Sequence, residues 1–141
     1  MQKIAIRSLE RPDTDNPEAL LKWFCTALGL SANDNGEIEE KILKELFYSA
    51  RANDGVSSSE INFGIELSRS TVIYHLNRFI ETGIAIKKGR KYYLRANEMS
   101  KVIEELEYDI EREMQRMLDV AKEFDSLMQP RPNKIGKKVI L

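Results

Sequence analysis

Leu20, Leu21, Phe24, Ala27 and Leu28 fall three and four residues apart, the spacing that gathers side chains on one face of an α-helix. Asn16-Pro17-Glu18 supplies a start for that helix, with an N-cap, a proline at the first helical position and an acid in the first turn; Gly29 supplies a stop. Trp23 lies beside the stripe and is expected to pack. Ahead of it, Ile4, Ile6 and Leu9 alternate weakly, which predicts either a short edge strand or a frayed end. Ser31 to Gly36 has turn composition. A second helix is predicted over about residues 37–52, with Ile38, Ile42, Leu46, Phe47 and Ala50 on one face and Glu37, Glu39 and Glu40 favourably placed at its positive end. Asn53-Asp54-Gly55 ends it.

The pattern then tightens. Ser57-Ser58-Ser59-Glu60 is a capping box, opening a short helix over about 58–66 with Ile61 and Ile65 inward. Ser68-Arg69-Ser70-Thr71 opens another, whose Val72, Leu76, Phe79 and Ile80 keep helical spacing until Gly83. Two short helices, each with its own serine cap and only a few residues between them, predict a helix-turn-helix. Ile84 to Lys88 and Lys91 to Leu94 flank Gly89-Arg90, a β-hairpin pattern. From about Asn97 to Gln129 there is no glycine or proline. Met99, Ile103, Leu106, Ile110, Met117, Val120, Phe124 and Leu127 follow a four-three spacing, with Glu113 interrupting it and Met114 as the alternative there. Pro130 and Pro132 stop this helix, and the basic tail that follows either adds a strand to Lys3–Ile6 or stays disordered.

The expected fold is therefore mainly α with a small β-hairpin wing (α+β). It is a winged helix-turn-helix with an N-terminal helix and a long C-terminal dimerisation helix, divided at 1–35, 36–96, 97–129 and 130–141.

Charge sharpens this picture. The 141 residues carry 22 Lys and Arg against 23 Asp and Glu, a net −1 that conceals a segregation. Between Leu67 and Arg95 the basic residues Arg69, Arg78, Lys87, Lys88, Arg90, Lys91 and Arg95 face one acid, Glu81, whereas residues 97–128 are strongly acidic. A basic centre beside an acidic helix can attract phosphate locally. The single cysteine, Cys25, cannot form an internal disulfide, and no apolar run reaches bilayer-spanning length, so the expected location is the cytoplasm.

The stretch Ser57–Arg95 resembles the winged helix-turn-helix domains of ArsR-like regulators, particularly their archaeal relatives. The likeness is carried by Ser58-Ser59-Glu60-Ile61, by Leu67-Ser68-Arg69-Ser70-Thr71-Val72-Ile73-Tyr74-His75-Leu76, and by Gly83 with Ile86-Lys87-Lys88-Gly89-Arg90-Lys91-Tyr92-Tyr93-Leu94. Asn62 and Glu66 depart from the family pattern. The metal-sensing branch carries a cysteine pair that this chain lacks, so neither a metal nor a cofactor is expected.

The resemblance implies that the helix beginning at Arg69 enters the DNA major groove. Arg69, Ser70, Thr71, Tyr74, His75 and Arg78 would then contact DNA, with Lys87, Lys88, Arg90 and Lys91 gripping backbone phosphate from the wing. The apolar seam Met99, Ile103, Leu106, Ile110, Met117, Val120, Phe124 and Leu127 is expected to pair two copies. The function expected is a homodimeric transcription regulator binding double-stranded DNA at a near-palindromic site. The competing class is a winged-helix interaction module in a larger transcription or repair complex. An enzyme is disfavoured: the chain has one His, one Cys, no phosphate-binding glycine loop and no nucleophile elbow.

Overall fold

The computed structural model describes residues 2–31, 36–65, 67–128, 130 and 131, the side chains of 62–65 excepted. Its elements are α1 (Pro17–Ala27), α2 (Glu37–Arg51), β1 (Val56–Ser57), α3 (Ser58–Ile65), α4 (Arg69–Thr82), β2 (Ala85–Lys88), β3 (Lys91–Leu94) and α5 (Met99–Leu127). The described residues are mostly helical, with a small antiparallel sheet in the order β1-β3-β2.

The caps fix the helix boundaries. The Asn16 side chain accepts a hydrogen bond from the Ala19 N–H (3.0 Å), with Pro17 as the first residue of α1. Beyond α1, Gly29 takes φ 67°, and a Cβ there would lie 2.6 Å from the Ala5 carbonyl oxygen. Glycine thus serves both the left-handed turn and the close passage of the N-terminal segment. That segment is neither a strand nor frayed. It is tied to the helices, with the Lys3 N–H donating to Glu81 O (2.7 Å), Arg7 N–H to Ala27 O (2.8 Å) and the Trp23 indole to Glu10 O (2.9 Å).

The capping box forms reciprocally: Ser57 N–H donates to Glu60 Oε1 (3.0 Å) and Glu60 N–H to Ser57 Oγ (3.2 Å). The two-residue hairpin turn between β2 and β3 needs a positive φ at its first residue, and Gly89 provides it at 62°. The strand β1 was not anticipated. Val56 pairs with Tyr92 and Ser57 with Lys91, which makes β3 the central strand.

The core gathers Ile42, Leu43 and Leu46 of α2, Ile61 of α3, Val72, Leu76 and Phe79 of α4, Ile84, and Val102 and Leu106 of α5. Each such side chain contributes about 1.5–3 kcal/mol by leaving water. Contacts divide the chain into residues 1–106 and residues 107–141.

The first unit corrects part of the expected dimer seam. Leu106 is buried in the chain's own core, with Met99 and Ile103 partly buried against it, so these three positions stabilise the unit they belong to. In the second unit Ile110 is half-buried, whereas Met117, Val120, Phe124 and Leu127 are exposed. Residues 132–141, and with them most of the basic tail, lie outside the described residues, as do residues 32–35. Among the described residues no helix is long and apolar enough to cross a membrane.

Candidate nucleic-acid interface

Helix α4 divides cleanly into two faces. Val72, His75, Leu76, Phe79 and Thr82 are buried, at helical intervals; Arg69, Ser70, Tyr74 and Asn77 are exposed, and Thr71 and Ile73 are intermediate. The N-terminus of this exposed face is built by Ser68. Its Oγ accepts from the Thr71 N–H (3.2 Å) and lies 2.7 Å from Thr71 Oγ1 and 3.3 Å from Ser70 Oγ. These hydroxyls fix the first turn locally, and the positive end of the helix macrodipole adds to the attraction for an anion there. Arg69 is the first residue of the helix and makes no ion pair among the described residues.

Two of the contact residues expected on α4 are placed elsewhere. His75 stands three residues after Val72 and four before Phe79, a spacing that assigns it to the core stripe. Its side chain is buried, with Nδ1 3.5 Å from Glu39 Oε2 and without a hydrogen bond among the described residues. Burial pushes its pKa below the ordinary 6.5; the Glu39 carboxylate pulls the other way and Arg78 adds to the fall.

Arg78 is half-buried and used structurally. Nη1 donates to Leu30 O (2.6 Å) and Nη2 to Gly29 O (2.9 Å), so one guanidinium ties α4 to the chain leaving α1. Cys25 is fully buried as well, and burial with the charges of Glu39 and Glu40 pushes its thiol up to about 12. It carries no thiolate at neutral pH.

The hairpin packs directly on α4 through β2. Because β2 is an edge strand, Ile86, Lys87 and Lys88 are all exposed although they alternate in direction. Lys87 Nζ lies 5.4 Å from the ring centre of Tyr92, and Lys88 Nζ lies 5.7 Å from that of Tyr93. Arg90 is exposed in the turn.

Lys91 faces Lys88 across the ladder, a like-charge pairing that costs stability unless it is relieved. Asp54 relieves it by accepting from Lys91 Nζ at 3.1 Å. This bond raises the Lys91 pKa and lowers that of Asp54. Lys91 is therefore committed to the protein, whereas Lys87, Lys88 and Arg90 form no ion pair among the described residues.

One exposed position was missed in the sequence. Asn77 lies three residues beyond Tyr74 on the same outer face, and an amide can make a bidentate contact with adenine. The three-residue step from Tyr74 was the available signal. The surface so assembled offers Arg69, Ser70, Tyr74 and Asn77 on one helix and Lys87, Lys88 and Arg90 on the adjoining hairpin. Matching the chain against protein-family models, curated proteins and solved structures finds no counterpart.

Proposed function

We propose that this protein is a winged helix-turn-helix regulator, of the ArsR-like kind its sequence resembles, binding double-stranded DNA as a homodimer with no enzymatic activity of its own. The observation that carries the reading is the outer face of α4. An exposed row of Arg69, Ser70, Tyr74 and Asn77 begins at a capped helix N-terminus and adjoins a hairpin whose Lys87, Lys88 and Arg90 lack an acidic partner among the described residues. Arg69 and Asn77 are the side chains suited to base edges; the hairpin cations suit phosphate.

Selection of binding sites from a random-sequence DNA pool tests this directly. The expected product is a two-fold symmetric motif with half-sites about one helical turn apart. On that motif, Arg69→Glu should weaken binding by at least roughly 10- to 100-fold and relax preference at one base position, as for the loss of one bidentate base contact. Lys88→Ala should weaken binding to all sequences alike and lower the slope of log affinity against log salt by about one. Unchanged affinity in both variants would remove α4 and the hairpin from consideration as the DNA surface.

A second reading, an interaction module within a larger assembly, is favoured by one feature. An apolar cleft of about 440 Å³ lies between α1 and α2, lined by Leu20, Leu21, Phe24, Phe47, Tyr48 and Met99. Folded protein with no DNA affinity, purifying in a stable heteromeric complex, would select this reading.

A further inference from the structure

Below Leu106 the long helix keeps an apolar face that has no partner among the described residues. Met114, Met117, Phe124 and Met128 are each more than half exposed, at 55%, 57%, 58% and 61%. Together with Ile110 and Ala121 they follow an unbroken 4-3-4-3-4 spacing. This is a heptad seam in which Ile110, Met117 and Phe124 take one core position and Met114, Ala121 and Met128 the other. The register through Met114 removes the interruption at Glu113. Flanking the seam, Leu118 is 45% exposed and Val120 is 66% exposed, both too apolar for a solvated helix surface.

We infer that this segment pairs with a second copy of itself in antiparallel orientation, with the two-fold axis at Asp119. The inference rests on the homodimer part of the function proposed above and adds the surface and its direction. Two observations decide the orientation.

First, a parallel pair sets each seam residue against its own copy. Ala121 facing Ala121 leaves a void, and Phe124 facing Phe124 crowds the next layer. An antiparallel pair centred on Asp119 sets Ala121 against Met117, Phe124 against Met114 and Met128 against Ile110, which evens out the volumes and uses all six positions.

Second, parallel pairing brings Leu118 beside Glu113 of the other copy and Val120 beside Asp125. Antiparallel pairing brings Leu118 beside Leu118 and Val120 beside Val120 at the axis, so both exposed residues are covered by apolar surface.

The seam is also self-complementary about its centre, so a second copy of the segment fits it. Formation of the helix itself is no obstacle, because Val102 and Leu106 already anchor its first turns in the core and thereby nucleate it.

Disulfide trapping separates the possibilities. Met114→Cys and Phe124→Cys chains are mixed, unfolded, refolded together and oxidised without DNA, while the wild-type chain is examined by sedimentation. Both substitutions fall on exposed side chains, and Cys25 is fully buried, so it does not compete. The expected result is a sedimenting dimer whose principal cross-linked product joins one chain of each variant, with little product from either alone. In the antiparallel pair, residue 114 and its own copy lie about 15 Å apart along the axis, beyond disulfide reach. Self-linking of the Met114→Cys chain would overturn the antiparallel assignment while leaving a homodimer intact. A monomer in sedimentation would overturn the pairing altogether, and DNA binding through Arg69, measured separately, would still stand or fall on its own result.

Discussion

His75 belongs to the buried face of α4, together with Val72, Leu76 and Phe79. It is the only histidine, it follows an exposed tyrosine, and its type suits either a phosphate contact or a packed core. Its position within the Val72–Phe79 stripe decides for the core. Because burial lowers its pKa in the folded state, the unfolded chain binds the proton more readily. Stability is therefore full above the unfolded value of about 6.5 and falls as pH drops toward the lowered folded value. Urea midpoints at pH 7.5 and 5.5 should differ in that sense, and His75→Gln should flatten the difference; a midpoint that rises on acidification would contradict a neutral buried ring. Arg78 is the companion case. Removing its guanidinium strips two partly buried carbonyls of a charged donor, so Arg78→Ala should cost about 2–3 kcal/mol of unfolding free energy. That loss would be seen in denaturant titration without any DNA present.

At the scale of elements, local rules were strong wherever a cap was present. Asn16, the Ser57–Glu60 pair, Ser68 and Gly83 each sit where the sequence predicts a boundary, because a cap is satisfied by backbone groups only two or three residues away. Ser68→Ala should accordingly cost about 1 kcal/mol and loosen the first turn that presents Arg69. The check is hydrogen exchange at the first amides of α4, expected to quicken there and not in α2. The strand β1 is not legible in the sequence, for the opposite reason. Two residues carry no periodicity, and Val56-Ser57 becomes a strand only because β3 offers it a paired edge. The N-terminal segment is a similar case: its bonds go to Glu81 and Ala27, partners distant in sequence.

In the whole molecule, the long helix passes from core to surface along its length, a change that its spacing alone does not mark. Met99 to Leu106 complete the core of residues 1–106, and among the described residues nothing covers the apolar face beyond them. On the proposed reading, Phe124→Glu should convert a sedimenting dimer to monomer. It should also lower affinity for the selected DNA site by on the order of 100-fold, through loss of simultaneous engagement. Thermal unfolding of the 1–106 unit should stay unchanged, since Phe124 contributes nothing to its core.

The order and type of the helices and of the hairpin strands, the helix caps, the turn at Gly89 and the concentration of positive charge between Arg69 and Arg95 are legible in the sequence alone. All of these depend on interactions within a few residues, or on simple composition. The tertiary structure alone decided which cations are committed and which are available. Arg78 is held by carbonyls 48 and 49 residues away, and Lys91 by an aspartate 37 residues away. It also decided where a single apolar stripe changes from core to surface, because burial depends on what the rest of the chain brings alongside, and no local spacing encodes that.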